Sequence, residues 1–390
     1  MSQAPRHVGV ESEFLPRYVV WELTLKCDLA CRHCGSRAGS ARAEELTLSE
    51  ALDVARQLAE LGAGEVALIG GEAYLSPDWL AIVRALSEQG VRVTMTSGAR
   101  ALDPERCRQA AEAGLQAVSV SVDGLESTHD RLRAVVGSHR AAMTALGHIA
   151  AAGMEPFANT QINRLNLDEL EDLAESLFDA GIQAWQLQLT GPMGRAADRP
   201  DWLLQPYEML TLMPRLGAIA ARAEQRGCTI NAANNLGYFG PHEAALRLRH
   251  FHGCVAGRHV LGIESNGDVK GCPSLPSAPY VGGNLRQDPL AEIWQSRRLA
   301  FAREQGTSEL WGRCAGCYYA EVCRGGCSWT AHTLLGRRGN MPYCHHRALE
   351  LQKLGLRERL ELVERAPGKP FDFGDFRLIE EPLSRACSPS

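Results

Sequence analysis

The sequence predicts an α/β protein, with a parallel sheet crossed by helices followed by a smaller cysteine-rich domain. Two observations carry this. Short β-branched runs alternate with longer amphipathic stretches through the first half of the chain, and cysteines gather both near the N-terminus and beyond residue 250. The strand-like runs are Tyr18 to Leu25, Glu65 to Ile69, Arg92 to Thr96, Ala117 to Val122, Pro156 to Ile162 and Ala184 to Leu189. Helices are predicted between them, over Leu48 to Leu61, Asp78 to Glu88, Pro104 to Ala113, Arg140 to Ala152 and Leu167 to Ala180. Several are opened by a Ser, Asp or Asn cap and closed by Gly. Six βα units imply parallel strands joined by right-handed crossovers. The pattern alone fits an open doubly wound sheet as well as a barrel.

The length of 390 residues allows two or three domains, and 45% hydrophobic content is ample for a buried core. Lys and Arg number 41 against 46 Asp and Glu, a net charge of −5, and no basic run is present. Nucleic-acid and membrane partners are therefore not expected. The opening residues lack a basic region followed by a long apolar core, and no apolar stretch reaches the length of a membrane span, so a cytoplasmic location is expected. In that reducing compartment, 13 cysteines point to metal binding rather than to disulfides.

Cys27, Cys31 and Cys34 follow the first strand with the spacing CxxxCxxC. An iron-sulfur cube held by three thiolates keeps one iron free for a small molecule. Zinc is the competing ligand, but zinc sites close with four ligands in short pairs, and no CxxC lies beside this trio. After the second strand comes Gly70-Gly71-Glu72, where two residues without side chains let a ligand approach and a carboxylate suits an ammonium group. The third strand ends Thr96-Ser97-Gly98, and the fourth ends Ser119-Val120-Ser121-Val122-Asp123-Gly124, followed by His129-Asp130 and Arg133. A guanidinium there can meet a carboxylate through two parallel hydrogen bonds. Asn159 and Gln161 interrupt the apolar fifth strand, either facing a pocket or closing the interior.

These segments together resemble the radical S-adenosylmethionine (SAM) enzymes. The resemblance implies a partial (β/α)6 TIM-like barrel with its site at the C-terminal ends of the strands, where barrel chemistry lies. It further implies that SAM chelates the open iron and is cleaved by one electron to methionine and a 5′-deoxyadenosyl radical, which takes hydrogen from the substrate. Gly70, Gly71 and Glu72 would then hold the methionine part. Thr96 and Ser97 stand where the family often has Thr-Asn, leaving backbone contacts to SAM possible. Ser121 would touch the ribose and Arg133 the carboxylate.

Pro200, Pro206 and the polar run from Gly194 to Asp201 mark a boundary, and a helix is predicted from Tyr207 to Gln225. The organisation expected is an N-terminal tail (1–15), the barrel core (16–200), a helical bridge (201–250), a cysteine-rich domain (251–350) and a C-terminal helix and tail (351–390). The cysteines run Cys254, Cys272 as C-x12-G-x4-C, then Cys314, Cys317, Cys323 and Cys327 as C-x2-C-x5-C-x3-C, then Cys344. Alternating residues flank Asn266-Gly267, a strong hairpin signal. Cys314 with Cys317 alone would read as half a zinc ribbon. The full order of seven instead resembles the SPASM extension of certain radical SAM enzymes. That resemblance implies one auxiliary 4Fe-4S cluster on Cys314, Cys317, Cys323 and Cys344, and a second on Cys254, Cys272 and Cys327, making three [4Fe-4S] clusters in all. The second lacks a ligand, for which His250, His252 and Cys228 are candidates, or its iron is open. Cys107 and Cys387 fall outside both patterns, and Cys107 reads as a core residue.

Family members with SPASM domains mostly modify peptides, and the chain is similar in size to the pyrroloquinoline quinone biosynthesis member. The expected function is hydrogen abstraction from a ribosomally made peptide, forming a side-chain cross-link. Too few residues precede Cys27 for a leader-recognition domain, so a separate recognition protein is expected, with flavodoxin or ferredoxin as electron donor. Formylglycine formation is disfavoured, because Cys272 is followed by Pro273 rather than an Asp. The alternatives are a tetrapyrrole or other small-molecule substrate and a non-catalytic iron-sulfur electron carrier. His129, His242, His345 and His346 are candidate general bases by type alone, and no catalytic base is assigned.

Overall fold

The computed structural model describes residues 14–247 and 250–383, so most of the expected N-terminal tail, and Cys387, lie outside the described residues. Strands β1 (Tyr18–Glu22), β2 (Glu65–Ile69), β3 (Arg92–Ser97), β4 (Ala117–Ser121), β5 (Glu155–Ile162) and β6 (Ala184–Leu189) pair in parallel in chain order. Helices α1 (Leu48–Glu60), α2 (Trp79–Glu88), α3 (Pro104–Ala113), α4 (Glu126–Arg133), α5 (Ser138–Ala151) and α6 (Leu170–Asp179) form the crossovers. Local chemistry explains their ends. Thr47 and Glu50 form a reciprocal capping box on α1, whose Ala51, Val54, Ala55 and Leu58 give one buried stripe. Asp103 caps α3, Pro104 occupies its first turn, and Gly114 closes it at φ 104°.

The two faces of the sheet differ. On β5 and β6 the residues Ala158, Thr160, Ile162, Trp185, Leu187 and Leu189 are buried, while Asn159, Gln161, Gln186 and Gln188 alternate with them and border a cavity inside the barrel.

The sheet is wider than six strands. After α7 (Met209–Gln225), β7 (Thr229–Ala232) adds to β6, so the expected helical bridge supplies a barrel strand. At the other edge β8 (Val260–Ile263) pairs in parallel with β1, β9 (Asp268–Lys270) returns antiparallel to β8, and β10 (Val281–Asn284) completes the order β10-β9-β8-β1-β2-β3-β4-β5-β6-β7. The Asn266-Gly267 turn is the expected one, with Gly267 at φ 88°. Among the described residues β7 and β10 do not pair, so the barrel is partial.

The C-terminal expectation is corrected. A helix over His345–Lys353 is followed by β11 (Leu356–Glu364) and β12 (Asp375–Pro382), an antiparallel hairpin rather than a helix and tail. Charged cross-strand pairs join it, Arg357 and Arg359 to Glu381 and Arg377 to Glu361. Pro367 and Pro370 lie in its loop and Pro382 ends β12, positions that a hairpin tolerates. No helix of the described residues is long and apolar enough to cross a membrane.

Candidate active site

Beyond β1 the chain leaves the sheet and wraps its three cysteines around the C-terminal strand ends. Cys27 N donates to Gly39 O at 3.1 Å, and Cys34 N donates to Cys31 O at 3.3 Å. Cys27, Cys31 and Cys34 border one cavity of about 210 Å³ together with Gly70, Gly71, Glu72, Thr96, Ser97, Ser121 and Arg133. Every residue that the sequence offered for this site is brought to that one space.

The two glycines also serve a need that was not expected. A Cβ on Gly70 would strike the carbonyl of Thr24, and one on Gly71 the carbonyls of Lys26 and Leu25. Gly71 N donates to Thr24 O at 2.6 Å, and Glu72 N to Lys26 O at 2.9 Å. Their missing side chains let the root of the cysteine loop lie directly on the end of β2.

Glu72 is buried, and its two oxygens accept from Ser97 Oγ at 2.5 Å and Gly98 N at 2.7 Å. Ser97 thus orients Glu72. Burial pushes the Glu72 carboxyl up to about 7, against those hydrogen bonds, and the nearby Asp28 adds to the rise. Cys27 Sγ and carboxylate oxygens of Asp28 and Glu72 lie within 4.8 Å of one another, a crowding that suits a cationic ligand. Because its folded value exceeds its unfolded one, Glu72 costs stability as pH rises from about 4.5 through 7. Glu72→Gln without SAM is expected to match the parent at about pH 4 and to exceed it at about pH 8 by on the order of 1–3 kcal/mol, read by denaturant unfolding. Its SAM affinity is expected to fall roughly ten- to a hundred-fold.

Asp123, quoted in the sequence only as part of a motif, is the hub of the opposite wall. Fully buried, it takes Arg133 Nη2 at 2.5 Å and His33 Nε2 at 3.0 Å on Oδ2, and Gln161 N at 2.9 Å on Oδ1. Burial would raise its carboxyl, but the Arg133 charge and the hydrogen bond from His33 outweigh this and hold it well below the usual range. Arg133 Nη1 also reaches Cys31 Sγ at 3.6 Å. His33 sits between two of the cysteines, a position that sequence reasoning passed over. His129 Nδ1 accepts from Asp123 N, and Asp130 holds Gly137 N, Ser138 Oγ and His139 N, so both anchor the α4–α5 corner.

The residues fit SAM and a cluster on an observation independent of the motif. Arg133 Nε and His33 Nδ1 are buried without a hydrogen-bond partner, and both side chains border the cavity. A ligand with acceptor groups would satisfy them.

A second cavity of about 530 Å³ shares His33, Gly35, Ile69, Gly70, Thr96 and Gln161 with the first. Asn159, Gln161, Gln186, Gln188, Asn231, Asn234 and Asn235 line it, as do Trp329 and Phe371, and no Lys or Arg is among its described lining residues. Asn159, Gln186 and Asn231 lie side by side across three strands, as do Gln161 and Gln188 across two. The Gln-Leu-Gln-Leu alternation of β6 was the available signal, since a parallel strand buried on both faces is ordinarily apolar throughout. His129, His242, His345 and His346 do not border this cavity.

Cys272 and Cys327 border the same cavity, and burial, with the nearby Cys254 adding to it, pushes the thiols of Cys272 and Cys327 up. Cys314, Cys317, Cys323 and Cys344 gather likewise around a separate cavity of about 560 Å³. Of the candidates for the missing ligand, His250 pairs through Nδ1 with Glu243 at 2.8 Å, and burial pushes the Cys228 thiol up to about 11. Tyr238 joins the two cluster regions: its hydroxyl accepts from Cys327 N at 3.1 Å, and the adjacent Phe239 stacks on Tyr319 at 4.3 Å. Cys107 is a buried core residue as expected.

A barrel whose strand ends gather three cysteines, a buried glutamate and a paired arginine, with two more cysteine sets behind, defines a class of SAM-dependent iron-sulfur enzymes. Residues 21–177 match the radical SAM superfamily, residues 254–318 match the iron-sulfur cluster-binding domain SPASM, and the chain belongs to that superfamily. It is 30% identical over 353 residues to an AdoMet-dependent heme synthase of Methanosarcina barkeri, covering 85% of this chain and 97% of that one. It is 28% identical over 318 residues to the mycofactocin maturase MftC of Mycobacterium ulcerans, covering 80% and 83%. It is also 28% identical over 337 residues to the PqqA peptide cyclase of Bradyrhizobium diazoefficiens, covering 85% and 86%. Streptococcus suis SuiB bound to S-adenosylmethionine shares the fold, with TM-score 0.67 and 18% identity, covering 85% of this chain and 76% of that one. The chain is thus a radical SAM enzyme with a partial TIM-like barrel and a SPASM domain, and its cofactors are SAM and [4Fe-4S] clusters.

Proposed function

We propose that this enzyme modifies a ribosomally made peptide, forming a side-chain cross-link. The carrying observation is the large cavity, whose wall carries seven carboxamides beside Glu22 and His33 and holds no Lys or Arg among the described residues. Carboxamides offer donors and acceptors together, the complement of a peptide backbone. A carboxylate-bearing macrocycle would lack ionic partners there, and leaving its charges unpaired is costly. A separate leader-recognition protein and a flavodoxin or ferredoxin donor are the partners of this reading.

Cys27, Cys31 and Cys34 hold the SAM-binding cluster in this account. Glu72, set by Ser97 and Gly98, receives the ammonium of SAM against Gly70 and Gly71, with Thr96 beside them. Ser121 meets the ribose and Arg133, braced by Asp123, the carboxylate. When bound, SAM and the cluster supply one-electron chemistry that breaks unactivated C–H bonds. The chain's own task is to exclude water and hold one substrate C–H bond against that site. Closing a cross-link removes two hydrogens and leaves one excess electron, for which the Cys254/Cys272/Cys327 and Cys314/Cys317/Cys323/Cys344 sets are the recipients.

The test is anaerobic incubation of the reduced holoenzyme with SAM and short peptides encoded beside the gene, followed by mass spectrometry. The expected result is a peptide lighter by two hydrogens, formed with 5′-deoxyadenosine. Cys323→Ala is expected to keep forming 5′-deoxyadenosine while the cross-linked peptide falls to background, and undiminished product would remove the auxiliary set from the reaction. A second reading, a tetrapyrrole substrate, is favoured by the near full-length likeness to the heme synthase of Methanosarcina barkeri. Conversion of a carboxylate-bearing tetrapyrrole, with every peptide untouched, would decide for it.

A further inference from the structure

We propose that Phe371, in the loop of the C-terminal hairpin, is a specificity-determining residue that denies carboxylate-bearing ligands a cationic partner in the substrate cavity by screening two cations behind it. The inference rests on the reading that the carboxamide-lined cavity takes the substrate. Phe371 borders that cavity, as do Gly35 and Ser36 of the cysteine loop. The ammonium of Lys270 lies 4.5 Å from its ring centroid and the guanidinium of Arg42 5.6 Å. Lys270 is fully buried and paired with Glu264 at 2.6 Å, and Arg42 reaches Glu22 at 3.1 Å and Glu264 at 3.0 Å. The aromatic ring is thus the partition between these two cations and the carboxamides of the cavity wall, where Glu22 stands beside Arg42.

The loop carrying the ring is held rather than loosely placed. Asp372 accepts from Arg37 Nε at 2.8 Å, Gly368 N at 2.5 Å and Lys369 N at 2.9 Å, and its carbonyl accepts from Gly194 N at 2.7 Å. Phe373 forms a bridge with Met193, and its ring meets His332 edge-on at 5.3 Å. Between these anchors Phe371 adopts φ 57°, a left-handed backbone that a bulky residue rarely takes. Anchoring on both sides of an unfavourable conformation is the mark of a side chain whose direction matters.

The experiment compares parent, Phe371→Gly and Phe371→Leu holoenzymes. Glycine adopts φ 57° freely, so the loop keeps its path, while leucine retains apolar packing without an aromatic face. Two probes are used, the neutral N-acetyl-leucinamide and the carboxylate-bearing macrocycle coproporphyrin. Binding is read from tryptophan fluorescence, and Trp329→Phe serves as the control that the signal arises in the cavity. The parent is expected to prefer the amide, and Phe371→Gly to bind coproporphyrin at least fivefold more tightly, with Phe371→Leu gaining at least twofold. Amide binding with coproporphyrin affinity unchanged in both variants overturns the proposal and leaves the peptide reading standing. A parent that binds coproporphyrin and no amide, with a fivefold gain in Phe371→Gly, overturns the peptide reading and supports the screen. Absence of binding by either probe, or coproporphyrin binding unaltered by both variants in a protein that takes no amide, overturns both.

Discussion

Cys31→Ser protein, reconstituted and reduced, is expected to form no 5′-deoxyadenosine from SAM above background and to lose one cluster's worth of iron. Cys31 is the most enclosed of the three thiols, buried beside Arg133 Nη1 at 3.6 Å. A serine hydroxyl is a poor ligand for iron, and the two thiols that remain cannot hold a cube open at one iron only. The auxiliary cysteines lie on other elements, so the variant should keep their iron-sulfur absorbance. Retained SAM cleavage would mean that these three cysteines are not the SAM-binding set.

Asp123→Ala is expected to give the largest stability loss of any single substitution in the barrel, about 3–5 kcal/mol by denaturant unfolding. The change strands the Arg133 charge in the interior and removes the acceptor of Gln161 N and His33 Nε2 at once. Asp123→Asn keeps the volume and separates packing from charge. The sign of the pH effect follows from the depressed carboxyl. Its stabilisation is present in full above the unfolded value of about 3.9 and is lost as pH falls through the folded one. The gap between parent and Asp123→Asn should therefore stay level from about pH 5 to 8 and narrow only below about pH 4. A gap that changes across neutral pH would show that another group carries it.

Strands β1 to β6 were legible because each is a short apolar or alternating run between amphipathic helices, β-branched in all but β6, and the structure moves their ends by three residues at most. Helix α4 was not, since Glu-Ser-Thr-His-Asp-Arg-Leu-Arg carries one aliphatic residue and no stripe. The four residues of β7 are too few and too polar to announce a strand, and the pairing of β8 with β1 joins segments with no local relation. In the site, the cysteines and Gly70-Gly71-Glu72 were visible as contiguous motifs. His33 with Asp123 was not, because the pair is made only when the fold brings residues 90 positions apart together. The carboxamide wall was half visible: Asn159 and Gln161 stood out, while Gln186 and Gln188 were overlooked inside a run read simply as a strand. The C-terminal hairpin was hidden by prolines that mark its loop rather than the end of order.

The parallel pairing of β8 with β1 has a consequence for synthesis. The first strand of the barrel leaves the ribosome with one edge that no neighbour can cover until the hairpin near residue 260 follows it. Throughout that interval the nascent barrel presents unpaired backbone beside the loop that holds Cys27, Cys31 and Cys34, a state prone to wrong partners. The cysteine-rich region therefore acts as the closing stave of the barrel as well as a holder of clusters. A chain cut short of that contact would lack the later cysteines and leave the β1 edge bare, so it is expected to be both metal-poor and aggregation-prone.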